Sequence, residues 1–228
     1  MDNPSRLSRK EASHVDIPIC EIGEPLVSVS NLSSKIKTFP YYYQQNIPNA
    51  LPDCYVRQGV AERLVKAANL LPADYWLVVL DGWRPYQVQQ ALYQMFKQEL
   101  MAKGLQGEVL YAELAKFVAR PSKNPDAPSP HITGGAVDLT IANNEGWLEM
   151  GTDFDELSEA AHTSWFETKH LLDDLEQRAR EHRRLLTRVM SEAGFVNYEK
   201  EWWHYEYGNQ RWALKYGQKA IYKGILHL

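Results

Sequence analysis

The chain is poor in cysteine: among 228 residues only Cys20 and Cys54 occur. Two cysteines make no disulfide framework, so a small cross-linked scaffold is excluded and free thiols are expected. There is no apolar run of about 18 residues, the length a membrane-spanning helix needs. The opening MDNPSRLSRKEASHVDIPI has no apolar core of the kind an export signal carries. A cytoplasmic protein with no membrane partner is the expectation. Positive charge is not in excess either. Lys and Arg number 25 against 29 Asp and Glu, a net charge of -4, which gives no electrostatic reason to expect nucleic acid. Internal repeats and low-complexity tracts are lacking.

What is present is ordinary globular composition, 44% hydrophobic and 24% charged. The polar residues 1–16 are expected to be poorly ordered, and 17–228 to form a single domain. Between Ile17 and Pro52, Pro, Asn, Ser and Tyr predict loops and short strands. Val56, Val60, Leu64, Ala67, Ala68 and Leu71 share one helical face, and Pro72 stops that helix. YWLVVLD reads as a buried strand. DGWRP is a turn whose Pro85 can start a helix, running from Tyr86 to about Lys103 and ended by Gly104. Gly107 to Arg120 reads as another helix, PSKNPDAPSP as a loop, and AVDLTI as a strand. A long helix is expected from Trp165 to Ala193, with Gly194 as its C-cap. FVNYEKEWWHYEY then reads as two strands joined by a short turn. This order predicts an α+β fold with a small, largely antiparallel central sheet flanked by helices.

Two short stretches carry chemistry. SPHITGGAVDLTI supplies His131 and Asp138; EWWHYEY supplies Glu201 and His204. Imidazole nitrogen and carboxylate oxygen both suit Zn²⁺. Three protein ligands leave a position for water, whose pKa the metal lowers, and a spare carboxylate can take its proton. These four residues offer such a set. Each stretch also has a plain structural reading, as a glycine turn and as an aromatic strand packed on the core. A geometric objection stands as well: in a regular strand Glu201 and His204, three apart, would point to opposite faces. A bulge, a turn or a helical conformation there would remove it. Gly134 and Gly135 would let the chain turn between His131 and Asp138.

SPHITGGAVD fits S-x-H-x-x-G-x-A-x-D through Ser129, His131, Gly134, Ala136 and Asp138. EWWH fits E-x-x-H, DGWRP resembles D-G-x-R-P, and MGTDFDE resembles the segment that follows the first motif. On these motifs, over roughly Val56 to Tyr205, the chain resembles the VanX-type D-alanyl-D-alanine dipeptidases, zinc peptidases with a Hedgehog/D,D-peptidase-like fold. The resemblance implies one zinc per chain, held by His131, Asp138 and His204. It implies Glu201 as catalytic base, Arg84 as stabiliser of the transition state, Ser129 near the substrate and Asp155 on the substrate's ammonium. The implied substrate is a small D,D-dipeptide, D-alanyl-D-alanine, and the implied role is depletion of a peptidoglycan precursor, as in vancomycin resistance, or D-alanine salvage. A homo-oligomer is left open.

Upstream of the first helix the likeness fades into KTFPYYYQQNIPNALPDCYVRQG, where Tyr41, Tyr42 and Tyr43 stand in a region that walls the pocket in that family. This puts the dipeptide preference in doubt. Two alternatives remain. One is a related zinc D,D-carboxypeptidase or wall endopeptidase, which would need export. The other is a binding module that keeps zinc as a staple. His14, His162, His170, His182 and His227 take no role. The residues after Tyr207 are expected to pack as a helix or to cover a surface patch.

Overall fold

The computed structural model describes residues 17–156 and 158–228. The expectation for residues 1–16, and His14 with it, lies outside the described residues. In chain order the elements begin with β1 (Leu26–Ser28), β2 (Ile36–Thr38), the one-turn α1 (Tyr41–Gln44), β3 (Tyr55–Arg57) and α2 (Gln58–Asn69). There follow β4 (Trp76–Asp81), α3 (Tyr86–Ala102), α4 (Gly107–Phe117), β5 (Ala136–Asn143) and β6 (Gly146–Trp147). The chain closes with α5 (Asp174–Glu192), β7 (Val196–Asn197), β8 (His204–Glu206) and α6 (Gln210–Tyr216).

The main sheet runs β2-β4-β5-β8-β7, with β6 paired to the end of β5; β1 and β3 form a separate antiparallel pair. Only β2 and β4 are parallel, so the sheet is largely antiparallel, as the element order implied. β5 is its centre, buried at every position from Ala136 to Ala142. Covered on both faces, such a strand should be apolar throughout. Asp138 and Thr140 break that rule. A buried carboxylate is costly unless partnered, so Asp138 marks a place where partners must converge.

α2 and α5 are in contact; α2 buries Val60, Leu64, Ala67 and Ala68 in the core, and α5 buries Leu186, Val189 and Met190 there. Burying each large aliphatic side chain here stabilises the fold by about 1.5–3 kcal/mol. The helix expected from Trp165 begins only at Asp174. Trp165–Glu167 is a single 3-10 turn, and the start is fixed by a capping box. The Asp173 carboxylate accepts from the Glu176 amide at 2.9 Å, and Glu176 accepts from the Asp173 amide at 3.3 Å.

α3 follows Pro85 as expected, and α4 ends at Phe117 rather than Arg120. Leu100, Leu110, Leu114 and Val118 join these two helices in a small cluster apart from the main core. The chain end forms α6 and then returns along the N-terminal segment. Ala220 bridges Ile19, and the Tyr222 hydroxyl donates to Glu24 at 2.6 Å. Cys20 is exposed, Cys54 is buried, and the two are unpaired. Among the described residues no helix is long and apolar enough to cross a membrane.

Candidate metal and catalytic site

Register builds the site. Asp138 on β5 lies opposite His204 on β8 and, on its other side, opposite Asp81 at the end of β4. Directly opposed residues of antiparallel strands share a face, so the three side chains form one row across the sheet. A shift in register between Val79 and Asp81 is what brings Asp81 level with Asp138.

His131 reaches this row from a 3-10 turn, His131–Thr133, at the end of the proline-rich loop. Thr133 Oγ1 donates to the Pro130 carbonyl at 2.6 Å and accepts from the Gly135 amide at 2.9 Å, closing the turn. Gly134 has φ of +69°, the left-handed region where a β-carbon is strained. Gly135 serves differently from expectation. Its φ is not positive, but a β-carbon there would lie 2.5 Å from the Tyr207 carbonyl oxygen, so only glycine lets these segments meet.

Glu201 is not in a strand. It sits in the turn between β7 and β8, its amide bonded to the Tyr198 carbonyl at 2.9 Å. Asn197 Nδ2 donates to the carbonyls of Glu201 and His204, both at 3.0 Å. Buried Trp202 and Trp203 anchor the turn. The strand objection therefore falls: Glu201 Oε2 lies 3.8 Å from His204 Nδ1.

His131, Asp138 and His204 present ligand atoms that all lie within 4.8 Å of one another, and all three residues are buried. Outer hydrogen bonds fix the imidazoles. His131 Nδ1 is 2.8 Å from the Gly82 carbonyl oxygen and must donate to it, leaving a lone pair on Nε2. His204 Nε2 is 2.8 Å from Glu206 Oε1 and donates there, leaving Nδ1 to face inward. His131 Nε2 and His204 Nδ1 then stand 3.2 Å apart. Asp138 lies beside both, Oδ1 at 2.9 Å from His204 Nδ1 and Oδ2 at 3.3 Å from His131 Nε2. Two lone pairs and a carboxylate aimed at one point need a cation. Without a metal a proton takes that place: burial works against it, yet hydrogen bonds to Asp138 and Glu206 push His204 up to about 10. The donor set, two imidazoles and a carboxylate with outer partners in place, fits a divalent zinc ion.

Of the remaining predicted residues, Arg84, Glu201 and Asp155 connect to this cluster. Arg84, from the DGWRP turn, is buried. Its guanidinium donates to Asp81 at 2.8 Å, Gln89 at 2.8 Å, Tyr42 at 3.2 Å and Asp138 at 3.3 Å. Burial pushes Glu201 up to about 8, partly offset by His204. A carboxyl held there can both take and return a proton near neutrality. Asp155 has φ of +62° and accepts from the Tyr42 hydroxyl at 2.7 Å. Burial raises it to about 7 against the pull of Arg84. Phe154 next to it packs on Tyr41, Tyr42 and Trp203, tying the acidic loop to the β7–β8 turn. Ser129 is buried, and its hydroxyl has no partner among the described residues. A cavity opens over the cluster, walled by Arg84, His131, Glu201 and His204 together with Tyr198 and Arg211; Ser129 and Asp155 are not among its walls.

Sequence reasoning missed Glu206, Gln89, Arg211 and the Gly82 carbonyl. Glu206 had a signal, since two residues past His204 in a strand is the same face. The others had none.

The family model described as D-ala-D-ala dipeptidase, peptidase M15, matches residues 40–221, beyond both ends of the stretch its motifs mark out. A D-alanyl-D-alanine dipeptidase of Synechocystis sp. is 34% identical over 230 residues, 90% of this chain and 91% of that one. One of Enterococcus faecium is 29% identical over 149 residues, covering 64% and 69%. A solved structure of VanYB in complex with D-alanine-D-alanine aligns at a TM-score of 0.43 and 19% identity, over 76% of this chain and 82% of that one. On the match over residues 40–221 and the extended identity to its Synechocystis relative, the chain belongs to the D-ala-D-ala dipeptidase family of M15 peptidases.

Proposed function

We propose that the chain, one domain over residues 17–228, is a zinc-dependent dipeptidase that hydrolyses D-alanyl-D-alanine to two D-alanines. The observation that carries this is the convergence of His131 Nε2, an Asp138 oxygen and His204 Nδ1 on one point, with the Glu201 carboxylate beside it. His131, Asp138 and His204 would hold the zinc. When bound, it would polarise the peptide carbonyl and lower the pKa of a water in its open position.

The chain's own residues do the rest. Glu201 takes a proton at its carboxylate and returns it to the leaving nitrogen. Arg84, always charged, donates toward the carbonyl oxygen as negative charge grows there. Its contacts to Asp81, Gln89 and Tyr42 hold the guanidinium in place beforehand. Asp155, steadied by the Tyr42 hydroxyl, takes the substrate's ammonium, and Ser129 lies near the substrate. In the cytoplasm the reaction would deplete a wall precursor, as in vancomycin resistance, or salvage D-alanine.

The test is D-alanine release from D-alanyl-D-alanine by purified protein, with and without a chelator, beside Glu201→Ala. Turnover that the chelator stops and the substitution abolishes, with zinc retained at one per chain, is expected. Faster cleavage of an N-acetylated peptide would move the reading to a D,D-carboxypeptidase. Zinc without turnover of any peptide would leave a binding module.

A further inference from the structure

We infer that Arg211 reads the carboxylate of the substrate's C-terminal residue, the one that departs as an amine. This rests on the dipeptidase reading and extends it to specificity: the site would end one residue past the scissile bond.

A dipeptide carries a free carboxylate into a cavity whose inner wall is buried, Arg84, His131 and His204 among it, and there an unpaired anion is costly. The chain must supply a cation. Arg84 is committed: four of its five N–H groups already face Asp81, Gln89, Tyr42 and Asp138. Lys116 also lines the cavity, but its ammonium is half exposed and paired with Glu113 at 2.6 Å.

Arg211 differs from both. It comes from the first turn of α6 and lines the same cavity. Its guanidinium lies over the Tyr198 ring at 4.0 Å, and that ring meets the His204 ring edge-on at 6.0 Å. Arg211 therefore stands one aromatic ring away from the ligand cluster, on the wall of the cavity that the substrate's C-terminal residue would enter. One nitrogen, Nη1, lies 2.8 Å from Glu206 Oε1. Beyond that ion pair Nη1, itself buried, has no hydrogen-bond partner among the described residues. A planar fork held by a stacked ring on its face and an acid at one corner is oriented in advance, with donors left for a second carboxylate.

Arg211 could instead serve only as the counter-ion of Glu206, which orients His204. The experiment separates these roles. Zinc-loaded wild type, Arg211→Gln and Arg211→Lys are assayed on D-alanyl-D-alanine and on its C-terminal amide, and zinc per chain is measured. Binding of both compounds is also titrated calorimetrically in a Glu201→Gln background. For Arg211→Gln we expect KM for the free acid, and its binding constant, to rise about 10- to 100-fold, the scale of a lost charged hydrogen bond. Values for the amide should hardly move. Arg211→Lys should recover part of the loss, and zinc should stay at one per chain. Equal loss on acid and amide, loss of zinc, or an unchanged KM for the acid would overturn the assignment. A wild-type protein that cleaves neither compound would refute the dipeptidase reading before any substitution is made, and this inference with it.

Discussion

Two buried arginines make an instructive pair. Arg183, midway along α5, gives all three nitrogens to backbone carbonyls: Met150 at 2.7 Å, His162 at 2.7 Å and Ala160 at 2.9 Å. Burial pulls its pKa down to about 10. Arg84 gives its nitrogens to side chains, two of them carboxylates in the row across the sheet. Burial works against its charge too, but Tyr42, Asp81 and Asp138 hold its pKa above the ordinary arginine value. Arg183 staples an irregular segment, the one that carries Asp155, onto a helix. Arg84 keeps its charge beside the cluster where a substrate would sit. Burial alone does not mark a functional arginine; the chemistry of its partners does.

Exchanging each for lysine should split the two roles. Arg84→Lys keeps the charge and loses the fork, and kcat for D-alanyl-D-alanine is expected to fall about 10²- to 10³-fold, the scale of a lost oxyanion donor. Its thermal midpoint should move less than that of the other variant. Full activity in Arg84→Lys would erase the distinction. Arg183→Lys strands buried carbonyls, and urea unfolding should show a loss of about 2–3 kcal/mol. Steady-state kinetics on the remaining folded protein should give near wild-type kcat.

Glu206 sharpens the contrast between positioning and holding. It is fully buried, and Arg211 and His204 keep it at about 2 although burial opposes its charge. Glu206→Gln should weaken zinc binding about 10- to 100-fold in a competition with a chromophoric chelator. Unchanged affinity would mean that the His204 ring is held by packing alone.

The last contrast concerns the segment that Arg183 staples. Asp155 is raised to about 7 in the folded chain, above its unfolded value. The folded state thus keeps a proton that the unfolded state has lost. Stability is fully present below the unfolded pKa near 4 and declines as pH rises toward 7, by no more than about 1.4 kcal/mol per pH unit. The difference in unfolding free energy between wild type and Asp155→Asn should carry that slope between those pH values. A flat difference would mean that the carboxyl titrates normally.

Much of this was legible in the sequence. The run WLVVLD is β4, Pro85 does precede α3, and the strand expected at AVDLTI is β5. The boundary of α5 was missed although its signal was present: Asp173 and Glu176 spell a capping box, but charged helical composition upstream masked it. The residue types of the ligand cluster were legible, because imidazole and carboxylate in those motifs serve one kind of chemistry. That Glu201 lies in a turn was not, since Trp202 and Trp203 define it by packing against distant partners such as Thr152 and Phe154.

By itself, then, the sequence determined the kinds of element and the kinds of donor, because periodicity, proline, glycine and side-chain chemistry are local properties. Tertiary structure alone decided that Asp81, Asp138 and His204 fall level across three strands and that the Gly82 carbonyl turns the His131 imidazole inward. It also brought Arg211 to the cavity. Those facts depend on strand register and on contacts between residues dozens of positions apart. A shift of one residue would send each side chain to the opposite face, and nothing within a short window of sequence fixes that choice.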